Sequence, residues 1–371
     1  MALPVPRGQV LPLTSLRFVA ALWVLFHHAL PRGDSPDSAR AALGSSGWLG
    51  VSLFFVLSGF LLTVRYAPDG ALQGTQRAFW GERVARLAPA YLLALLFALP
   101  LFIRDAGFEG LAMTRRIAVA ASALTLQQSW RPELACEWNC PAWSLSVETW
   151  FYLAFPFVIL LIGPWTMRAR VRGALVLGAA LSASFLMFPT LERVGGDWTL
   201  PIYTLSPLAR WPEFLAGIGL AGLARGWRPP SRSPALMLLG TGLTWLAVAV
   251  ALRDSITAHG LHLLPVALPG FVLVVAACWA LGDRDAGPLS APAFVLLGET
   301  SYALYLVHAP LHSYLLAVVN RVVGRGYDTS WGVFALYLPL ALTLALLVFT
   351  LVERPWRARL RTALGLGARH E

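Results

Sequence analysis

The chain has 371 residues, of which 57% are hydrophobic and only 13% are charged, and its mean hydropathy is +0.64. Soluble domains carry about 25% charged residues, so this composition indicates an integral membrane protein without a soluble domain of ordinary size. The net charge of +10 comes from arginine, because the sequence contains no lysine. The arginines stand in short breaks between apolar stretches, which is typical of cytoplasmic loops and excludes a nucleic-acid-binding surface.

Ten apolar stretches approach the roughly twenty residues that a membrane-spanning helix needs. They are residues 13–30, 48–65, 84–103, 144–163, 172–189, 206–224, 234–252, 263–282, 293–319 and 331–352. Residues 117–128 are apolar but too short to span. If they do not cross, the arginine clusters near residues 65–86, 168–172, 225–232 and 354–361 all fall on the side of the N-terminus, which the positive-inside rule assigns to the cytoplasm. The sequence therefore predicts an all-α bundle of about ten transmembrane helices with both termini cytoplasmic, and an interfacial or re-entrant helix near 117–128.

The first stretch carries charge where hydrocarbon makes charge costly, in the sequence LTSLRFVAALWVLFHHAL. Arg17 and His28 are eleven residues apart, which places them on one helical face and ~16 Å apart along the axis. His27 is rotated by about 100° from His28, so the spacing favours His28 as the partner of Arg17. A functional pair is one interpretation. The other is an arginine that extends to the interface and a histidine among lipid headgroups.

Two more arginines share a face at the start of the third span, in FWGERVARLAPAY. Arg83 and Arg86 are three residues apart, so they either anchor the helix to anionic lipid or bind the phosphates of a cytoplasmic ligand. Further along, CEWNC falls on the outer side of the predicted topology. Cys136 and Cys140 either pair there or remain free thiols, and no neighbouring Cys/His pair indicates a metal site.

A carboxylate lies near the outer end of the fourth span, in PAWSLSVETWFYLAFP. Glu148 is expected at a depth near that of His28, where it would fix the tautomer of the imidazole and raise its basicity. The alternative is an ion pair with an arginine that holds helices together. Arg210 and Glu213 are one turn apart and are predicted to form a structural ion pair. Glu299 and His308 fall in the ninth span, His308 in its middle.

Seven segments in this order resemble the acyltransferase-3 family of membrane O-acyltransferases: LRFVAALWVLFHH, FFVLSGF, ERVARLAPAY, PAWSLSVE, RWPEFLAG, SYALYLVH and VERP. The resemblance covers residues 13–357, between a cytoplasmic N-terminus (1–12) and a basic cytoplasmic tail (358–371). The family's Arg/His pair falls on Arg17 and His28, and its arginine pair on Arg83 and Arg86. Its Trp-Ser-Leu-Ser-Val-Glu motif falls on 143–148. This sequence departs from the family pattern at Thr149, where an aromatic residue is usual, and at His27, which adds a second imidazole.

The resemblance implies transfer of an acyl group, often acetyl, from acyl-CoA to a hydroxyl of a sugar-containing acceptor, either a cell-envelope glycan or a glycosylated secondary metabolite. Acyl-CoA would be a co-substrate, with no permanently bound cofactor and no metal. We predict that Arg17, Arg83 and Arg86 bind the CoA phosphates, and that His28 is the general base oriented by Glu148. An acyl-histidine intermediate is the mechanistic alternative. Further candidates are His27, Ser144, Ser146 and His308.

A chain without lysine points to a GC-rich bacterial genome, so the expected location is the bacterial cytoplasmic membrane, with the lipid bilayer as the chain's surroundings. The alternative function is a transporter or flippase of a lipid-linked glycan or an amphipathic small molecule, since charges inside the membrane suit both. That alternative gives no reason for cytoplasmic arginines placed beneath an imidazole. The sequence leaves the oligomeric state open.

Overall fold

The computed structural model describes residues 10–31, 38–104, 113–195, 205–227, 232–259, 261–282, 287–324 and 329–366. Within these ranges the protein is built of helices and contains no strand. The helices are α1 (Leu11–Ala29), α2 (Ala39–Ser46), α3 (Leu49–Tyr66), α4 (Gln76–Arg104), α5 (Met113–Leu124), α6 (Trp143–Arg168), α7 (Arg170–Gly195), α8 (Trp211–Ala224), α9 (Arg232–Ala251), α10 (Arg253–Ala258), α11 (Leu263–Leu281), α12 (Pro292–Val322), α13 (Trp331–Val348) and α14 (Arg354–Ala363).

Nine helical segments among the described residues are long and apolar enough to cross a membrane. They match nine of the ten predicted spans and confirm an all-α, multi-pass membrane protein. The predicted span 206–224 differs, because its helix α8 has only 14 residues. At 1.5 Å per residue α8 is about 21 Å long, which is shorter than the ~30 Å hydrocarbon core.

The polar start of helix α8 lies inside the protein. Arg210 and Glu213 are 1% and 0% exposed, and Arg210 Nη1 lies 2.8 Å from Glu213 Oε1, which confirms the predicted ion pair. Arg210 also donates to Ser52 Oγ at 3.3 Å. A pair of this kind is tolerated at membrane depth only where protein surrounds it.

Glycines bring α8 into backbone contact with its neighbours α3 and α7. A Cβ atom on Gly217 would lie 2.2 Å from Val56 O of α3, and one on Gly219 would lie 2.5 Å from Leu177 N of α7. Small residues permit this approach in membrane helices. The sequence GIGLAG therefore explains why α8 is enclosed by the bundle.

The predicted short helix near 117–128 is α5, which has 12 residues and is followed by two short 3₁₀ turns. Its Val119 packs against Phe102 of α4 and Leu134. Beyond these turns the structure joins Cys136 to Cys140 in a disulfide, so of the two alternatives for these thiols the paired one is observed. The disulfide loop carries Asn139, which is 4% exposed and reaches α12.

A proline inside α6 and another inside α12 each remove one helical hydrogen bond, and in each case a side chain replaces it. Proline has no N–H, so Pro156 leaves Tyr152 O without its helical donor, and Trp80 Nε1 donates to that oxygen at 3.0 Å. Pro310 does the same to Leu306 O, which accepts from Asn139 Nδ2 at 3.0 Å. The prolines thus tie α6 to α4, and α12 to the disulfide loop.

Candidate active site

A cavity of about 970 Å³ lies between α1, α3, α4, α6, α12 and the end of the last membrane segment. Its polar lining is dominated by cations. The arginines that line it are Arg17, Arg65, Arg83, Arg86, Arg354, Arg357 and Arg361. Arg65 and Arg354 are exposed, whereas Arg83 is only 6% exposed, so the arginines extend from the surface into the protein. Guanidinium groups in this number suit a ligand with several phosphates.

Arg83 is fixed by aromatic neighbours. Its Nη2 donates to the hydroxyl of Tyr66, and its guanidinium carbon lies 4.9 Å from the centre of the Tyr66 ring and 5.6 Å from that of Tyr152. Such contacts hold a guanidinium in one orientation. Arg83 is thus preorganised at the cavity wall, one turn from Arg86 on the same helix.

Arg17 and Arg86 lie within electrostatic range of each other and of two carboxylates, Glu148 and Glu353. Two like charges at this depth are tolerated because these carboxylates offset part of their repulsion. The structure therefore brings the predicted residues Arg17, Arg83, Arg86 and Glu148 to one cavity, although they come from three different helices.

Glu353 reaches this cluster through a π-helical turn. Residues Phe349–Glu353 form that turn between α13 and α14, and the Glu353 side chain is 6% exposed. Single π turns inside α-helices are frequent at functional sites, because the extra residue redirects the side chains that follow. In the sequence, VERP contributed to the family resemblance, and Glu353 was not among the predicted site residues.

His28 lies near the other end of α1 and does not line the cavity. Its Nδ1 is 3.0 Å from Val24 O and 3.3 Å from Nε2 of His308, while the residue as a whole keeps an exposed side. The cavity ends at Tyr305, whose ring centre is 5.9 Å from that of His308. Tyr305 therefore lies beside both the cavity and His308.

The expectation that Glu148 orients His28 is wrong for this arrangement. Glu148 accepts hydrogen bonds from Ser58 Oγ at 3.4 Å and from the hydroxyl of Tyr152, and it faces Arg17 and Arg86. The hydrogen bonds of the His28 ring go to Val24 O and His308. The reason is position along the bundle, since Glu148 lies at the depth of the arginine cluster and His28 lies beyond Tyr305. Tyr152 could have been found from its spacing of four residues after Glu148.

The remaining predicted residues divide between the cavity and structural contacts. Ser144 lines the inner end of the cavity and donates to Pro141 O or Tyr305, at 3.1 and 2.8 Å. Ser146 is 0% exposed and donates to Leu126 O at 2.7 Å, which is a packing role. His27 Nδ1 lies 2.7 Å from Gly44 O, so His27 contacts α2, whereas His28 contacts His308 of α12.

The fold and the cavity thus define a polytopic membrane protein with an interior cavity lined by arginines. Residues 13–350 match the acyltransferase-3 family model, described as "Acyltransferase domain". The chain belongs to this family and is a multi-pass membrane O-acyltransferase. This family membership confirms the predicted enzyme class and stands against the transporter alternative.

Named relatives agree with this class. The chain is 30% identical to "Acyltransferase MdmB" of Streptomyces mycarofaciens, over 94% of this chain and 92% of that protein. It is also 30% identical to "Putative peptidoglycan O-acetyltransferase YrhL" of Bacillus subtilis, over 48% of this chain and 29% of that protein. A "Putative O-acetyltransferase" of Staphylococcus aureus (strain COL) is 24% identical over 93% of this chain and 57% of its own length. No solved structure matches the chain.

Proposed function

We propose that this protein transfers an acyl group, with acetyl as the first donor to test, from acyl-CoA to a hydroxyl of a sugar-containing acceptor in the bacterial cytoplasmic membrane. The observation that carries the proposal is the cavity, which joins seven arginines at one end to Ser144 and Tyr305 at the other. A polyphosphorylated head on a long arm is the ligand shape that this distribution of charge fits.

The phosphates of CoA would be bound by Arg17, Arg83 and Arg86, with the exposed arginines at the mouth attracting the donor from the cytoplasm. The pantetheine arm would lie along the apolar wall formed by Leu57, Leu61 and Leu62. This places the thioester at the end of the cavity lined by Tyr305. Rotation of the Tyr305 side chain then opens the path between the thioester and His28.

His28 is the proposed general base. Its Nδ1 faces Val24 O, so in the neutral ring Nδ1 carries the proton and Nε2 carries the free lone pair. Nε2 takes the proton of the acceptor hydroxyl while the hydroxyl oxygen bonds to the thioester carbon. The carbon–sulfur bond then breaks, and the CoA thiolate leaves with the proton that His28 Nε2 had accepted, which returns His28 to its neutral form. The exposed side of His28 suits an acceptor that arrives from the side opposite to the donor.

The acceptor is proposed only as a class. The name of YrhL refers to peptidoglycan, a cell-envelope glycan, and the Streptomyces relative is named only as an acyltransferase. A sugar hydroxyl, on an envelope glycan or on a glycosylated secondary metabolite, is the acceptor chemistry we propose for this chain. This choice rests on the family resemblance and on the YrhL name rather than on any sugar-binding surface.

The test uses purified protein, labelled acetyl-CoA and methyl α-glucoside as the hydroxyl probe. We expect CoA release by the wild type, and a loss of about 100-fold or more in His28→Ala, which is the usual contribution of a general base. His27→Ala is the matched control, because it removes the adjacent imidazole and should stay within a few-fold of the wild type. Full activity in His28→Ala contradicts the base, and no CoA release by the wild type contradicts the donor or the acceptor class.

A further inference from the structure

His308 is a buried imidazole to which the proposed mechanism gives no role. It lies on α12 one turn beyond Tyr305 and is 1% exposed. Its Nε2 is 3.3 Å from His28 Nδ1, and the two ring centres are 5.0 Å apart. A buried polar ring in direct contact with the proposed base is a candidate for controlling that base.

The proton positions on both rings follow from their carbonyl partners. His308 Nδ1 is 2.7 Å from Tyr305 O, and a carbonyl only accepts, so Nδ1 of the neutral ring carries the proton and Nε2 is an acceptor. By the same argument the proton on His28 Nδ1 lies between Val24 O and His308 Nε2. The free lone pair of His28 is then on Nε2, the nitrogen available to a substrate.

Hydrogen bonds tie the segment of α12 around His308 to three other parts of the chain. Tyr337 of α13 donates to His308 O at 2.9 Å, and Tyr302 of α12 donates to Leu87 O of α4 at 2.9 Å. Asn139 donates to Leu306 O, the carbonyl that Pro310 leaves without a helical partner. These hydrogen bonds fix the segment in place beside α1. A residue that sets the orientation of another ring must itself be held in this way.

We propose that His308 is the positioning residue of His28. Its Nε2 shares the Nδ1 proton of His28 with Val24 O, which helps to keep His28 in the tautomer with a basic Nε2 and stabilises the imidazolium formed when Nε2 takes a proton. This is the role predicted from the sequence for Glu148. The inference rests on the proposed function, in which His28 is the general base.

Two substitutions of similar size separate this role from a structural one. In His308→Gln the side-chain amide reaches the position of Nε2, so its oxygen still accepts from His28. In His308→Asn the amide reaches only the position of Nδ1, which keeps the bond to Tyr305 O and removes the contact with His28. We expect His308→Gln to keep most of kcat and His308→Asn to lower kcat about 10-fold or more, with the KM for acetyl-CoA unchanged in both.

The assay is CoA release from acetyl-CoA with methyl α-glucoside, with His28→Ala measured alongside. Full activity in His28→Ala overturns the proposed function itself. Loss in His28→Ala, together with equal activity of the Gln and Asn variants, overturns only the role of His308. If His308→Asn does not yield folded protein, His308→Ala is assayed with added imidazole. Restored kcat then supports the positioning role, and no restoration overturns it.

Discussion

Arg86 shows how single side chains prepare the cavity for an anion. It lies within electrostatic range of Arg17 and of the carboxylates Glu148 and Glu353, and all four side chains line the same cavity. A bound phosphate would be attracted by both cations. We expect Arg86→Gln to raise the KM for acetyl-CoA about 10- to 100-fold, because a hydrogen bond to a charged group contributes about 1.5–3 kcal/mol. Steady-state kinetics of CoA release measures this change.

A matched control is available on α5. Arg115 is 46% exposed and pairs with Glu137 at 2.8 Å, and it does not line the cavity. Arg115→Gln removes the same charge from the protein and should leave the KM unchanged. Equal KM values for Arg86→Gln and the wild type would refute the assignment of Arg86 to the donor.

At the residue scale, the sequence reveals which polar groups are unusual but not which of them meet. Arg17, Glu148 and His28 could be predicted because ionisable residues inside a membrane are costly and rare. The spacing of Arg17 and His28 gives their common face on α1, but it contains no information about the neighbour of that face. That neighbour is α12, so His28 contacts His308 while Glu148 contacts Tyr152.

At the scale of elements, α12 depends on a hydrogen bond from the disulfide loop. Leu306 O accepts from Asn139 because Pro310 has no N–H to offer it. We expect Asn139→Ala to destabilise the protein by about 1–3 kcal/mol, the cost of leaving a buried carbonyl unsatisfied. Thermal unfolding in detergent measures this as a lower melting temperature.

The same bond can be supplied by the helix itself in a double variant. Pro310→Ala restores an N–H to Leu306 O, so Asn139→Ala should cost much less in the Pro310→Ala background than in the wild type. The two changes are then non-additive, as expected for groups that share one partner. Additive losses of stability would show that Asn139 acts through some other contact.

Helix α8 illustrates what hydropathy alone does not reveal about an element. Residues 206–224 are apolar enough to be predicted as a span, but the helix begins only at Trp211, after the buried Arg210. Hydropathy measures the average preference of a segment for an apolar environment. It does not distinguish a lipid-facing helix from one enclosed by other helices.

The enclosure of α8 predicts a sharp difference between two glycines. A Cβ atom on Gly217 would lie 2.2 Å from Val56 O, whereas one on Gly178 of α7 meets nothing within 4 Å. Gly217→Ala should force α3 and α8 apart and lower stability by about 1–3 kcal/mol or more, as overpacking does. Gly178→Ala should be neutral or slightly stabilising, because alanine favours the helix. Equal melting temperatures would refute the close approach of α3 and α8.

At the scale of the whole molecule, charge orients the chain in the membrane. Helix α14 carries Arg354, Arg357, Arg359 and Arg361, and the positive-inside rule assigns this end to the cytoplasm. We expect a fusion of green fluorescent protein to the C-terminus to fluoresce and a fusion of alkaline phosphatase to be inactive. The reverse pattern would place the donor cavity on the outer side and rule out cytoplasmic acyl-CoA as its ligand.

The same orientation places the loop of Cys136 and Cys140 outside, where a disulfide persists. In a Cys278→Ala variant these are the remaining thiols of the chain. Intact cells treated with a membrane-impermeant reductant, and then with an impermeant maleimide, should therefore gain two labels per chain. Without the reductant they should gain none. Labelling that requires permeabilised cells would put the loop inside. His28 and the loop would then both face the cytoplasm, because Asn139 of the loop bonds α12 two residues before His308, and His308 contacts His28. Since His28 is exposed at that end of α1, an acceptor presented outside the cell would be excluded.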